Sequence, residues 1–158
     1  MGRSGITVLA LVTLAGCRES TAPDDLLVTV TIAPASVTHL DTATITVMIA
    51  NASARPVTIR GSSSCRFGYE VTDSTGAAVS SHLPSICTAD IRPITLGPGE
   101  SDAAAFSWLP LRNVLGLFSP LPPGVYRLRG KSLWTGRWST AVPVQVGGAG
   151  SRAARNAA

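Results

Sequence analysis

Histidine and charge are both scarce in this chain, and each shortage closes off a class of function. Only two histidines, His39 and His82, occur among 158 residues, so a histidine-built metal site or imidazole proton relay has little to draw on. Charged residues make up 14% of the chain and the net charge is +4. That mild excess is no nucleic-acid footprint, which takes charge clustered over one face, so nucleic acid is not an expected partner. No glycine-rich loop follows a strand pattern and opens a helix, which excludes a phosphate cradle of that kind. No apolar run reaches the roughly 18 residues of a spanning helix, and no stretch between 26 and 146 sustains a 3.6-residue period.

Catalytic residue types are present without catalytic spacing. Glu70, Asp73 and Asp90 are scattered through turns and strand surfaces, with no pair placed for acid–base work. Ser81, His82 and Asp90 have the composition of a hydrolase triad, but no nucleophile elbow accompanies them. His82, Cys65 and Cys87 lack C-x-x-C or H-x-x-x-H spacing. The expectation is a protein that is not an enzyme and carries neither cofactor nor metal.

What is present begins with the first 25 residues. Met1 to Gly5 hold one basic side chain, Arg3, and Ile6 to Leu14 follow as an apolar run of nine, the length of a signal h-region. Leu14-Ala15-Gly16-Cys17 resembles the lipobox of bacterial lipoproteins. That resemblance implies cleavage after residue 16, lipidation of Cys17 and a stable anchor from the acyl chains on one cysteine. Residues 17–25 are then a lipidated cysteine and polar tether, 26–146 one domain, and 147–158 a disordered tail with too little apolar bulk to order. Losing Arg3 with the leader lowers the net charge by one. The expected location is the cell envelope, lipid-anchored and extracytoplasmic. Arg18 after the cysteine, in place of a retention Asp, favours the outer membrane or cell surface over the inner membrane.

With Cys17 lipidated, Cys65 and Cys87 remain in an oxidising compartment and are expected to bridge. The loop closed is worth about 3 kcal/mol in the chain-entropy model.

Alternation dominates the body of the chain. Val28, Val30 and Ile32; Ile45, Val47 and Ile49; Val57 and Ile59; Phe67, Tyr69 and Val71, with Val79 on the return; Phe106 and Trp108; Tyr126 and Leu128; and Val142, Val144 and Val146 each share a face. Short runs of this kind between Gly, Pro, Asn and Asp read as strands. The expected fold class is all-β, an antiparallel two-sheet immunoglobulin-like sandwich of about seven or eight strands.

The turns carry a second resemblance. Asn51-x-Ser53-x-x-Pro56-Val57, Tyr69-Glu-Val-x-Asp73-x-x-Gly76, Leu96-x-Pro98-Gly99-Glu100-Ser101 with Phe106-x-Trp108, and Pro123-Gly124-x-Tyr126 resemble the immunoglobulin-like BsuPI domain, a family named for an intracellular proteinase inhibitor. The likeness spans roughly 40–146 and rests mostly on turn and core residues. It implies the fold and, as an alternative function, proteinase inhibition through a rigid exposed loop, either the Cys65–Cys87 loop or 109–123. Tyr126 resembles the corner tyrosine of such sandwiches, whose hydroxyl bonds back to nearby backbone.

Two segments are candidates for binding a protein or envelope component. Leu133-Trp134-Thr-Gly-Arg137-Trp138 reads as a hairpin with Trp134 and Trp138 facing each other, as a stabilising aromatic pair or, with Arg137 and Lys131, as a contact patch. Residues 109–123 hold Leu111, Val114, Leu115, Leu117 and Phe118 among four prolines. The prolines disfavour a helix or a paired strand, and the apolar side chains call for burial under the sandwich or against a partner. Arg112, Arg127, Arg129, Lys131 and Arg137 crowd the last third, as solvated strand faces or as a patch toward anionic headgroups or an acidic partner. The candidate partner contacts are Trp134, Arg137, Trp138, Leu117 and Phe118.

Overall fold

The computed structural model describes residues 25–84, 86–89, 92–114 and 117–148. The leader, Cys17 and the tether up to residue 24 lie outside these residues, as do Asp90, Leu115 and the tail from 149. The described chain is all-β. Strands β1 (Leu26–Ala33), β3 (Ala43–Asn51) and β8 (Ser101–Trp108) form one antiparallel sheet in the order β1-β3-β8. A second sheet runs β2-β12-β11-β5-β6, from β2 (Ser36–Thr38), β12 (Val142–Gly147), β11 (Gly124–Ser132), β5 (Phe67–Thr72) and β6 (Ala78–His82). Two short pairs complete the set: β4 (Val57–Ile59) with β7 (Ile94–Leu96), and β9 (Leu111–Val114) with β10 (Leu117–Pro120).

The alternation places the core. Val28 and Val30 of β1, Ile45, Val47 and Ile49 of β3, and Trp108 of β8 are buried in one cluster with Phe67, Tyr69, Val71, Leu128, Val144 and Val146 from the larger sheet. Gly130 marks how closely the sheets approach, because a Cβ there would lie 2.7 Å from Val47 Cγ1 and 3.2 Å from Val30 Cβ. The two sheets thus stack face to face as a β-sandwich, each strand burying every second side chain.

Among the described residues twelve strands stand where seven or eight were expected. The missed ones are β2, β7, β9 and β10, each of three or four residues. The architecture is also not wholly antiparallel, since β2 pairs parallel with β12. The chain reaches β2 by leaving the first sheet at Ala33-Pro34-Ala35, where Pro34 has no N–H to continue the β1–β3 ladder. Gly147, placed in the tail by composition, is the last residue of β12.

The 109–123 segment corrects a further expectation. Its prolines were read against strand pairing, yet β9 and β10 form an antiparallel hairpin with Leu117 opposite Val114 and Phe118 opposite Asn113. Pro120 sits on the last rung and Pro110 outside it, so neither interrupts the ladder. Leu121 N–H donates to Pro110 O at 2.9 Å and closes the base.

Candidate functional site

One shallow depression of about 170 Å³, open to solvent, is lined by Ile49, Ile59, Phe67, Ile94, Trp134 and the Arg66–Asp102 ion pair. It is a surface depression and encloses no cavity. Among the described residues no three His, Cys, Asp or Glu side chains gather to hold a metal ion. His82 is exposed and packs its ring against Phe106 at 5.0 Å and Tyr69 at 6.0 Å. Asp90, the third residue of the triad composition, lies outside the described residues.

Cys65 and Cys87 form a disulfide. Cys65 stands two residues before β5, so the bridge pins the segment after β6 to the start of that strand. Flanking hydrogen bonds reinforce it: Ser64 N–H donates to Thr88 O at 3.0 Å, and Thr88 N–H donates to Ser64 Oγ at 3.1 Å. Beside the bridge Ile86 is 93% exposed. An isoleucine so open, held by a covalent constraint, contributes nothing to the core.

The Trp134–Trp138 region does not form the facing pair that was expected. Lys131 is the residue opposite Trp138, and Trp134 lies inside the turn. Three side chains grouped by sequence go three ways. Trp134 packs over Gly61, where a methyl group would overlap its indole, and its Nε1–H donates to Ser63 O at 2.7 Å. Arg137 donates from Nη1 to Leu26 O at 2.7 Å and so fastens the start of β1. Trp138 lies against the outer face of β11, with the Arg129 guanidinium 4.2 Å and the Lys131 ammonium 4.9 Å from its ring centroid. The contact patch therefore divides. Trp134 and Arg137 serve the fold, and Trp138 joins the cations of β11.

That outer face is built by alternation along β11. Tyr126 and Leu128 point inward, so Arg127, Arg129 and Lys131 point outward. Arg129 is directly opposite Glu70 of β5 and donates to Glu70 Oε1 from Nη2 at 2.7 Å and Nε at 3.1 Å. The sequence grouped these three with Arg112 and Arg137 as a cationic excess in the last third, and did not show that Trp138 returns to lie across two of them. The i, i+2 pattern was the signal for the row.

The β9–β10 hairpin presents Phe118 at 68% exposure, so this side chain is not buried under the sandwich. Arg112, on the same hairpin, acts electrostatically on Asp73 and Tyr126. Asp73 Oδ1 accepts from Thr75 Oγ1 at 2.6 Å, Thr75 N at 2.9 Å and Ala77 N at 3.1 Å. The Thr75 hydroxyl, above all, holds the carboxyl below its ordinary value. Burial raises the Tyr69 and Tyr126 phenols.

No family model matches the chain, and no curated protein does. Solved structures similar to it include a β-glucosidase from Erythrobacter marinus, at 13% identity and a TM-score of 0.46, covering 77% of this chain and 15% of that one. Another is a β-glucosidase from Listeria innocua, at 15% identity and a TM-score of 0.44, covering 78% and 16%. A third is the CARDB domain of a Pyrococcus furiosus protein, at 19% identity and a TM-score of 0.40, covering 77% and 87%. The chain spans less than a fifth of the length of either β-glucosidase. Likeness at this level carries nothing about activity.

Proposed function

We propose that this chain is a membrane-anchored extracytoplasmic lipoprotein whose sandwich is a non-catalytic, immunoglobulin-like binding module. The observation that carries the reading is the Cys65–Cys87 disulfide. It speaks for an oxidising compartment and leaves Cys17, behind the apolar run, as the third of three cysteines. The immunoglobulin-like character is supported by Tyr126, whose hydroxyl donates to Pro122 O at 2.8 Å as a corner tyrosine does. The binding role draws on Trp138 with its flanking cations and on exposed Phe118, surfaces that the core does not need.

The test is the intact mass of the membrane-extracted chain before and after reduction. The expected product starts at Cys17, carries acyl chains and gains the mass of two sulfur-bound hydrogens on reduction. A product starting elsewhere without acyl mass overturns the anchor. Two thiols free before reduction would overturn the oxidised pair.

A second reading, proteinase inhibition, is favoured by Ile86 alone, an exposed apolar residue beside a disulfide. Stoichiometric slowing of a subtilisin-like or trypsin-like protease, lost on Ile86→Gly, would replace the plain binding module with an inhibitor.

A further inference from the structure

The cations of β11 are more numerous than the fold requires. At about 3.4 Å of rise per residue, Arg127, Arg129 and Lys131 form a file with neighbours about 7 Å apart. One carboxylate, Glu70, answers them, and it is occupied by Arg129. The flanking outward positions, Thr72 on β5 and Pro143 and Gln145 on β12, carry no charge. Arg127 is exposed, and among the described residues its guanidinium has no hydrogen-bond or ion-pair partner. Trp138 draws two of the cations to one ring and, being only half-buried, keeps indole surface in contact with solvent. Like charges in a row repel, and among the described residues no carboxylate forms an ion pair with Arg127 or Lys131.

We propose that this file is a binding surface for an acidic polysaccharide laid along β11, its carboxylates on Arg127 and Lys131 and a sugar ring against Trp138. The inference deepens the binding-module reading and is independent of the lipid anchor. A linear polyanion fits because the cations are one strand wide. A bilayer surface fits less well, because it would press Glu70 onto anionic headgroups. An extended peptide is disfavoured because β11 is paired on both sides, with β5 and β12, and offers no free edge for strand addition. Recognition must then come from side chains, which suits a guanidinium–carboxylate fork and a ring platform.

The experiment is a fluorescence titration of the full chain in non-ionic detergent, with Trp138→Phe identifying the signal of that ring. The titrants are polygalacturonate, neutral dextran, polyglutamate and phosphatidylglycerol. The expected result is saturable binding of polygalacturonate alone, weakened about threefold to tenfold in the Arg127→Gln/Lys131→Gln variant and reduced by salt. Arg127 is exposed, and an unchanged thermal melt of the double variant excludes misfolding as the cause. Equal binding of polyglutamate makes the partner an acidic peptide, and binding of phosphatidylglycerol alone makes it a headgroup. Either result overturns the proposal, as does no binding at all. The mass measurement above is unaffected by any of these outcomes, so the anchor and the glycan surface stand or fall separately.

Discussion

At Asn51 two turns meet for a reason the backbone makes plain. The β3–β8 ladder stops at Ala50↔Ser101 and resumes as β4–β7 from Val57↔Leu96. Between them the chain makes two turns, 52–56 and 97–100, whose backbone groups have no ladder partner. Asn51, 1% exposed, fills the gap. Its amide donates to Arg55 O at 2.7 Å and Leu96 O at 2.9 Å, with Gly97 O at 3.2 Å, while Oδ1 accepts from Ser53 N and Ser53 Oγ. Its own N–H donates to Glu100 O, and its carbonyl accepts from Gly99 N–H. No other side chain of that size offers both a double donor and an acceptor. Asn51→Ala therefore strands several buried groups and is expected to cost about 2–4 kcal/mol, read from the midpoint of a urea melt. A loss under about 0.5 kcal/mol would mean that water replaces the amide.

Among the elements, the disulfide-pinned segment and the β9–β10 hairpin behave differently. The segment after β6 has few buried side chains, and the bridge with the Ser64–Thr88 hydrogen bonds holds it. Replacing both Cys65 and Cys87 with Ala is expected to lower stability by about 3 kcal/mol through the unfolded chain. Calorimetry of the oxidised chain against the double variant checks this. An unchanged melting temperature would show that the hydrogen bonds alone suffice. In the hairpin, pairing survived the prolines because they occupy its ends. Proline's missing N–H matters only where a ladder bond would form, and composition alone does not say which residues those are.

Across the whole molecule, the two sheets differ in the faces they turn outward. The smaller sheet shows Thr29, Thr31, Thr44, Thr46, Met48, Ala103 and Ala105, all uncharged, whereas the larger shows the β11 cations. The sheets meet most closely at Gly130, opposite Val47 and Val30. Gly130→Ala must push them apart or bend β11, and overpacking of that kind costs about 1–3 kcal/mol. A thermal melt measures it; no change would mean that the sandwich breathes enough at this point to accept a methyl group.

The period-2 pattern by itself determined that the described chain is all-β and which residues face inward, and the cysteine count by itself paired Cys65 with Cys87 once Cys17 is set aside. These are local or arithmetical properties, because side chains alternate across any strand whatever its neighbours. Only the tertiary structure decided which strands share a sheet, that β2 crosses over to run parallel with β12, and that Trp134, Arg137 and Trp138 part company. A tight turn offers an indole or a guanidinium several directions within one short stretch of sequence. The direction taken depends on what lies 71 or 111 residues away: Ser63 for Trp134 and Leu26 for Arg137. Strand β2, Ser-Val-Thr, has a single apolar residue and no alternation, and β7, Ile-Thr-Leu, was not expected although it alternates as β4 does. They exist because a neighbouring strand supplies the hydrogen bonds.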